Sequence, residues 1–340
     1  MLTPVELGLT EIDDELRRRV EAAILDHGTC GQPWLDTGMR PLLTRPGKRL
    51  RPALVFASAA CGPQQDAQST VALAASVELM HLSSLIHDDL MDEASARGGT
   101  PALHVTRGRD AAILGGDHLL SAGGRLASTV SAAATVVWHQ GYLDLVAGQV
   151  LETANRYRLD TRMEEYLAAI NGKTSALMRT SCQLGGLCAG LDDVRVAALA
   201  TYGDAFGMVF QLVDDLMDVV STAQLWAKPV RLDLPNGVYT AAVLAALNDP
   251  RSGLSDVLGL DMTEEDIDRA HHYARCDGVP VVLELIEEYV LRAESALELL
   301  PDTPSRTRLA VLPRLYASRA VESRVAPEHL RWIRATSAAR

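Results

Sequence analysis

The sequence predicts an all-α fold, and three observations point there. Hydrophobic residues make up 48% of the 340 but aromatics only 4%, and the excess is carried by Ala and Leu, both strong helix formers. No segment alternates convincingly with the period of two that a strand needs. Gly and Pro cluster in a few short stretches, which leaves long uninterrupted runs between them.

Taken in order, those runs predict helices over roughly 11–27, 52–61, 67–94, 109–133, 136–155, 163–170, 174–189, 193–219, 238–247, 263–274, 279–299 and 304–323. The breaks fall at TRPGKRLRP (44–52), ARGGTP (96–101), LWAKPVRLDLPNG (225–237) and LPDTPS (300–305). Two of these breaks are basic in an otherwise acidic chain. No internal repeat divides the sequence apart from a doubled DDLMD, so the chain reads as one domain over 1–340, with 1–35 and 325–340 peripheral to it.

The balance of 32 basic to 44 acidic residues, a net charge of −12, argues against a nucleic-acid backbone as the main partner. An anionic substrate would then need a metal or a local basic pocket. Five cysteines, odd in number and without CxxC or zinc spacing, suit a reducing compartment. The start does not resemble a signal peptide, and no apolar run reaches the ~18 to 20 uncharged residues of a membrane span. The expectation is a cytoplasmic protein without a span.

DDLMD ends two apolar helical runs, as LIHDDLMDEAS and as FQLVDDLMDVVS. At about 100° per residue, Asp88, Asp89 and Asp92 fall at about 0°, 100° and 40°, while Leu90 and Met91 point away. Asp214, Asp215 and Asp218 repeat the pattern. His81 and Ser84 precede the first set on the same face; Gly207, Phe210 and Gln211 precede the second. Crowded carboxylates repel unless a cation lies between them, and hard oxygen donors select Mg²⁺ over zinc or copper. A single acidic triplet is commonly a solvated surface. Two, each approached by an apolar run and followed by a basic loop, suggest metal ions gathered around one diphosphate.

Lys48, Arg49 and Arg51 in GKRLRP stand just before a helix, where main-chain N–H groups also favour an anion. Arg97, Lys173 and Lys228 are further candidate cations, each also readable as a helix-end charge. INGKTS lacks the spacing of a Walker A loop. His81 fits a core histidine as well as a ligand-facing one, and His87 stands where it could orient a carboxylate.

In order and spacing, GKRLRP (47–52), ELMHLSSLIHDDLMDEASARGGTPALH (78–104), GGD (115–117), NGKTSALM (171–178), FGMVFQLVDDLMD (206–218) and AKPVRLDLPNG (227–237) closely resemble the trans-isoprenyl diphosphate synthases. The likeness runs from about Gly47 to Thr240, and more weakly to about 320. It implies a single-domain helical bundle around a deep central cavity, usually a homodimer, that joins an allylic diphosphate to isopentenyl diphosphate. By that similarity Asp88, Asp92, Asp214 and Asp218 bind three Mg²⁺, supported by Asp89 and Asp215. Arg97, Lys173 and Lys228 would hold the allylic diphosphate, and Lys48, Arg51 and His81 the isopentenyl diphosphate. Thr174 and Gln211 would face the developing cation. In this family a bulky residue four or five positions before the first Asp limits product length; Ser83 and Ser84 stand there, which implies chains of twenty carbons or more.

The chain departs from the family in places. A pair of arginines usually follows the first acidic motif, and the second clamps isopentenyl diphosphate; here the pair reads Arg97-Gly98. Arg49, Arg107 and Arg109 are the nearby cations that could compensate, and Gly98→Arg is expected to restore the grip if none does. Val238 replaces a usual lysine and Ala102 a usual threonine. The thinned cradle keeps other readings open: a prenyltransferase of this fold using an acceptor other than isopentenyl diphosphate, and less favoured, a terpene cyclase or an inactive partner subunit.

Overall fold

Asp66, Ser131, Asp192 and Thr303 each stand immediately before an apolar run, and each side chain accepts a backbone N–H from the first turn of the helix that follows. The structure, a computed structural model, describes residues 3–45, 47–64, 66–226, 230–231, 233–249 and 252–325. Within them the chain forms α1 (Asp14–Gly28), α2 (Pro33–Leu43), α3 (Leu50–Ala59), α4 (Ala67–Met91), a minimal hairpin of β1 (Ala96–Arg97) and β2 (Thr100–Pro101), α5 (Leu103–Arg107), α6 (Arg109–Val130) and α7 (Ala132–Asn155). There follow α8 (Met163–Ile170), a π-turn (Asn171–Ser175), α9 (Ala176–Cys188), α10 (Asp193–Val220), α11 (Ala223–Trp226), α12 (Ala241–Leu247), α13 (Glu264–Tyr273), a second π-turn (Ala274–Gly278), α14 (Val279–Ala296) and α15 (Pro304–Arg324).

The fold is the all-α bundle that the sequence predicts, with differences that have local causes. The sequence places no helix at 33–43, because Pro33, Gly38 and Pro41 fall within eleven residues. Pro33 sits in the first turn, where its missing N–H costs nothing, and Leu35, Met39 and Leu43 bury a stripe that holds the rest in place. The stretch 163–188 reads as two helices but runs through α8, the π-turn and α9 without a gap. The hairpin pairs Ala96 with Pro101 and Arg97 with Thr100, too short to show a strand period. Residues 1–35, expected at the periphery, bury Val20 and Ile24, where α1 covers α4 and α6, and Leu7 and Leu9, which join the core around α10. Of 325–340 only Val325, which is buried, is described.

Two apolar cores form. One gathers α1, α2, α4, α6 and Trp138 of α7; the other surrounds α10 with α12, α14 and α15. The central helices α4 and α10 are long and apolar enough to cross a membrane, but most of that surface is buried against neighbouring helices. Both carry their aspartates at the C-terminal end, so the architecture delivers the two acidic clusters on the two longest of the described helices.

Between the cores, α7 crosses the first π-turn at backbone contact. A Cβ at Gly148 would lie 2.1 Å from Lys173 N, and one at Gly172 would lie 2.6 Å from Asp144 O. The crossing is fastened by one cluster: Arg179 reaches Asp144 of α7 (2.5 Å) and Asp204 of α10 (2.6 Å), and Asn171 Nδ2 donates to the same Asp204 (2.8 Å). An extra turn residue in a helix is frequent at functional sites. Here it turns Lys173 and Thr174 toward the space between α7 and α10.

Gly148→Ala should therefore force α7 and the π-turn apart. The expected cost is about 1–3 kcal/mol of stability in denaturant unfolding, together with reduced turnover because Lys173 moves. Unchanged stability and turnover would show that this crossing does not position the site.

Candidate active site

Asp88, Asp89 and Asp92 end α4, and Asp214, Asp215 and Asp218 lie in the last turns of α10. Carboxylates at a helix C-terminus face the negative end of the dipole, so neither cluster can be read as N-terminal-turn charge. Each must be stabilised by something else. Asp92 from the first cluster and Asp215 from the second line one cavity of about 340 Å³, with Lys173 and Thr174 of the π-turn and Gln211 of α10.

The wall is held by a chain of hydrogen bonds. Thr174 Oγ1 donates to Gln211 Oε1 (2.7 Å), Gln211 Nε2 to Asp215 Oδ1 (2.6 Å), and Tyr166 OH to Asp215 Oδ2 (2.5 Å). Lys173 Nζ donates to Glu152 Oε1 (2.6 Å), Arg97 Nε to Asp89 Oδ1 (2.7 Å) and Arg156 Nη2 to Asp92 Oδ1 (2.6 Å). Burial pushes the Asp88 carboxyl up, partly offset by Lys173 and Arg97. Burial also raises Asp215 against the pull of its Tyr166 and Gln211 bonds, and Asp214 and Asp218 add to the rise. Burial works against the charge on Lys173, but Glu152 and Asp88 more than offset it and hold its pKa above the usual lysine value.

Among the lining residues that sequence reasoning did not single out, Glu152, Arg156, Tyr166 and Asp233 carry the site's charge and hydrogen bonding. Burial, then Asp218, Asp215, Asp214 and Glu152, drive the Asp233 carboxyl far up, so it belongs to the same anionic centre. One signal was available: Glu152 lies one helical turn after Gly148, on the face that crosses the π-turn. Asp233 stands in the loop quoted for Lys228, itself outside the described residues.

A second group lies around His81. Burial, then Arg51, Arg97 and Arg49, push its pKa well below the ordinary histidine value, so the ring is neutral at pH 7. Arg51 is half-buried, with its Nε enclosed and unpartnered, whereas Arg49 adopts a left-handed backbone (φ 51°) and turns inward to Glu21 (2.7 Å) and Glu78 (2.6 Å). Lys48, half-buried, precedes them in the turn into α3. Ser84 Oγ donates to His81 O (2.8 Å) and Ser83 Oγ to Gly116 O (2.8 Å), so both positions stay small and internally satisfied. His87 is turned toward α6, 3.7 Å from Asp117, and not onto Asp88.

The structure corrects the expectation at Gly98. Arg49 is committed to two glutamates, Arg107 bonds to Thr106 O, and Arg109 is exposed at the start of α6. The residue beside Gly98 is Arg45. Its Nη2 would lie 1.8 Å from a Cβ at position 98, so an arginine there would first have to push the Arg45 guanidinium aside.

Among the described residues no three carboxylate, histidine or cysteine side chains converge to hold an ion unaided. Mg²⁺ does not require that: it keeps several waters and is commonly bound through one or two carboxylates plus substrate phosphates. Paired, hard oxygen donors on both sides of a cavity fit that mode.

A family model described as Polyprenyl synthetase matches residues 32–274. The chain belongs to the polyprenyl synthetase family. It is 33% identical over 278 residues to nonaprenyl diphosphate synthase of Mycobacterium tuberculosis, covering 80% of this chain and 83% of that protein. Geranylgeranyl diphosphate synthase of Methanosarcina mazei is 32% identical over 324 residues, covering 92% and 99%. The polyprenyl synthase of Caulobacter crescentus, solved with calcium and isoprenyl diphosphate, superposes with a TM-score of 0.83 at 27% identity, covering 92% and 97%. This member of the polyprenyl synthetase family is accordingly a trans-prenyltransferase with the all-α isoprenoid synthase fold.

Its crowded carboxyls give the metal-free protein a defined pH response. Asp88, Asp215 and Asp233 have folded-state pKa values above their unfolded ones, so the folded state holds more protons and stability is lost as pH rises through the raised values. His81, shifted down, has the opposite sign and acts below its unfolded pKa of about 6.5. In chelator, the thermal midpoint should fall as pH rises from about 6.5 through the Asp215 value of about 7, and Asp215→Asn should flatten the fall. A midpoint that stays level or climbs over that window in the unaltered protein would contradict the electrostatic picture.

Proposed function

We propose that this enzyme condenses an allylic diphosphate with isopentenyl diphosphate, in a Mg²⁺-dependent reaction, to an isoprenyl diphosphate of twenty carbons or more. One observation carries the reading: Asp92 and Asp215, from the two separate acidic motifs, line a single cavity with Lys173, Thr174 and Gln211. The named relatives make isoprenyl diphosphates, and one structural neighbour was solved with a divalent cation and an isoprenyl diphosphate.

In this reading Asp88, Asp92, Asp214 and Asp218, supported by Asp89, Asp215 and Asp233, hold three Mg²⁺ that neutralise the charge growing on the leaving diphosphate. Lys173 and Arg97, with Lys228 by the family likeness, donate to the allylic diphosphate. The allylic C–O bond breaks with its electron pair going to the diphosphate. Thr174 and Gln211, locked to each other, present oxygen to the cation left behind. Lys48, Arg51 and His81 hold the acceptor diphosphate so that its double bond attacks the cation. A proton then leaves to the departed diphosphate and a new double bond forms. Ile170, Ala169 and Tyr239 on the cavity wall keep water from the cation.

Both motifs are intact, aspartate for aspartate, which weighs against a cyclase or an inert subunit. Val238 on the cavity wall, where the family likeness calls for lysine, is the observation that favours a different acceptor. Exposed Ile113, Leu114, Leu143, Val146 and Val150 on α6 and α7 support a homodimer. Cytoplasmic work goes with this reading, since five cysteines, odd in number and without CxxC spacing, suit a reducing compartment.

Asp88→Ala and Asp214→Ala should each lower turnover by at least about a hundredfold with helical content retained, measured with labelled isopentenyl diphosphate. Near-full activity in either would break the two-cluster mechanism. Mass analysis of products from the unaltered enzyme should show twenty carbons or more, and Ser84→Phe should shorten them. Products of only ten or fifteen carbons from the unaltered enzyme would overturn the length assignment.

A further inference from the structure

Arg45 lies two residues beyond α2 and 52 residues before Arg97, yet its Nη1 donates to Arg97 O at 3.1 Å. A Cβ at Gly98 would meet Nη2 at 1.8 Å, Cζ at 2.5 Å and Nη1 at 2.6 Å. The guanidinium thus fills the space that a side chain at position 98 would enter. Gly98, at φ 55°, leaves that space open. Arg45 is held from behind as well, since Arg49 Nη2 donates to its carbonyl (3.3 Å).

The charges around it do not balance. Arg49 is answered by Glu21 and Glu78, and Arg97 by Asp89. Among the described residues neither Arg45 nor Arg51 pairs with a carboxylate, and Arg51 Nε is buried without a partner. The Arg51 guanidinium beside a neutral His81, and the half-buried Arg45 guanidinium against Arg97, are charge that an incoming anion would balance.

We propose that Arg45 is a substrate-binding residue of this enzyme, which reaches across Gly98 to grip the acceptor diphosphate together with Lys48, Arg51 and His81. The inference rests on the reading that isopentenyl diphosphate is the acceptor. It makes Gly98 the opening through which Arg45 works.

The test uses the full chain and four proteins: unaltered, Arg45→Ala, Gly98→Ala, and the double variant. Isopentenyl diphosphate binding is read by calorimetry, alongside kcat and the KM for each substrate. Arg45→Ala should weaken isopentenyl diphosphate binding about ten- to a hundredfold, the loss of one charge-assisted contact, with kcat and the allylic KM unchanged. Gly98→Ala, whose methyl displaces Arg45, should produce a similar loss, and the double variant should be no weaker than the weaker single. Unchanged binding in Arg45→Ala overturns the proposal, as do losses that multiply in the double variant. A joint fall in kcat, both affinities and the thermal midpoint also overturns it, by showing a structural role. If the unaltered chain binds no isopentenyl diphosphate yet still releases diphosphate from an allylic substrate with Mg²⁺, the acceptor reading falls and Arg45's role falls with it. An unaltered chain that binds and elongates beside an indifferent Arg45→Ala defeats the Arg45 proposal alone.

Discussion

Asp88, Asp89 and Asp92 at the end of α4, and Asp214, Asp215 and Asp218 at the end of α10, bring six carboxylates together with the negative ends of two helix dipoles. Nothing about helix stability favours that arrangement. The surrounding residues make sense as answers to it: Arg97 on Asp89, Arg156 on Asp92, Tyr166 and Gln211 on Asp215, and Lys173 shared between Glu152 and Asp88. The resting site neutralises itself by internal pairing. On the proposed reading, substrate with its metal ions enters by exchange, releasing Arg156 and Lys173 from carboxylates as the metals take their place. By reciprocity, metal and diphosphate would then each strengthen the other's binding.

The exchange needs a frame that does not move when charges are redistributed. Main chain supplies it where α7 meets the π-turn, because Gly148 and Gly172 let the two backbones touch. Arg179 then ties α7 to α10 through Asp144 and Asp204, outside the cavity. Lys173 and Thr174 are therefore placed by backbone geometry and a structural ion cluster, and not by the carboxylates they serve.

Most of this was legible in the sequence where it depended on repetition. Helices repeat an apolar period over many residues, and the doubled DDLMD repeats a chemical pattern, so α4 and α10 and their aspartates could be read directly. What depended on a single residue could not be. The helix α2 hides behind Pro33 and Pro41, and the π-turn shifts the helical phase by only one residue. Glu152, Arg156 and Tyr166 look like ordinary helix charge and core until the fold brings them to one wall. Arg49 was legible as a cation but not as one spent on Glu21 and Glu78. Arg45 was passed over because nothing local marks a residue whose neighbour lies 52 positions away.

Arg45 and Gly98 also constrain how such chains can diverge. A side chain at position 98 and a guanidinium from position 45 claim the same volume, since the first carbon of one would lie 1.8 Å from a nitrogen of the other. A chain that regained a side chain at 98 would have to turn the flexible Arg45 guanidinium aside. Covariation between two loops, and not identity within either motif, is the mark that such a shared volume would leave.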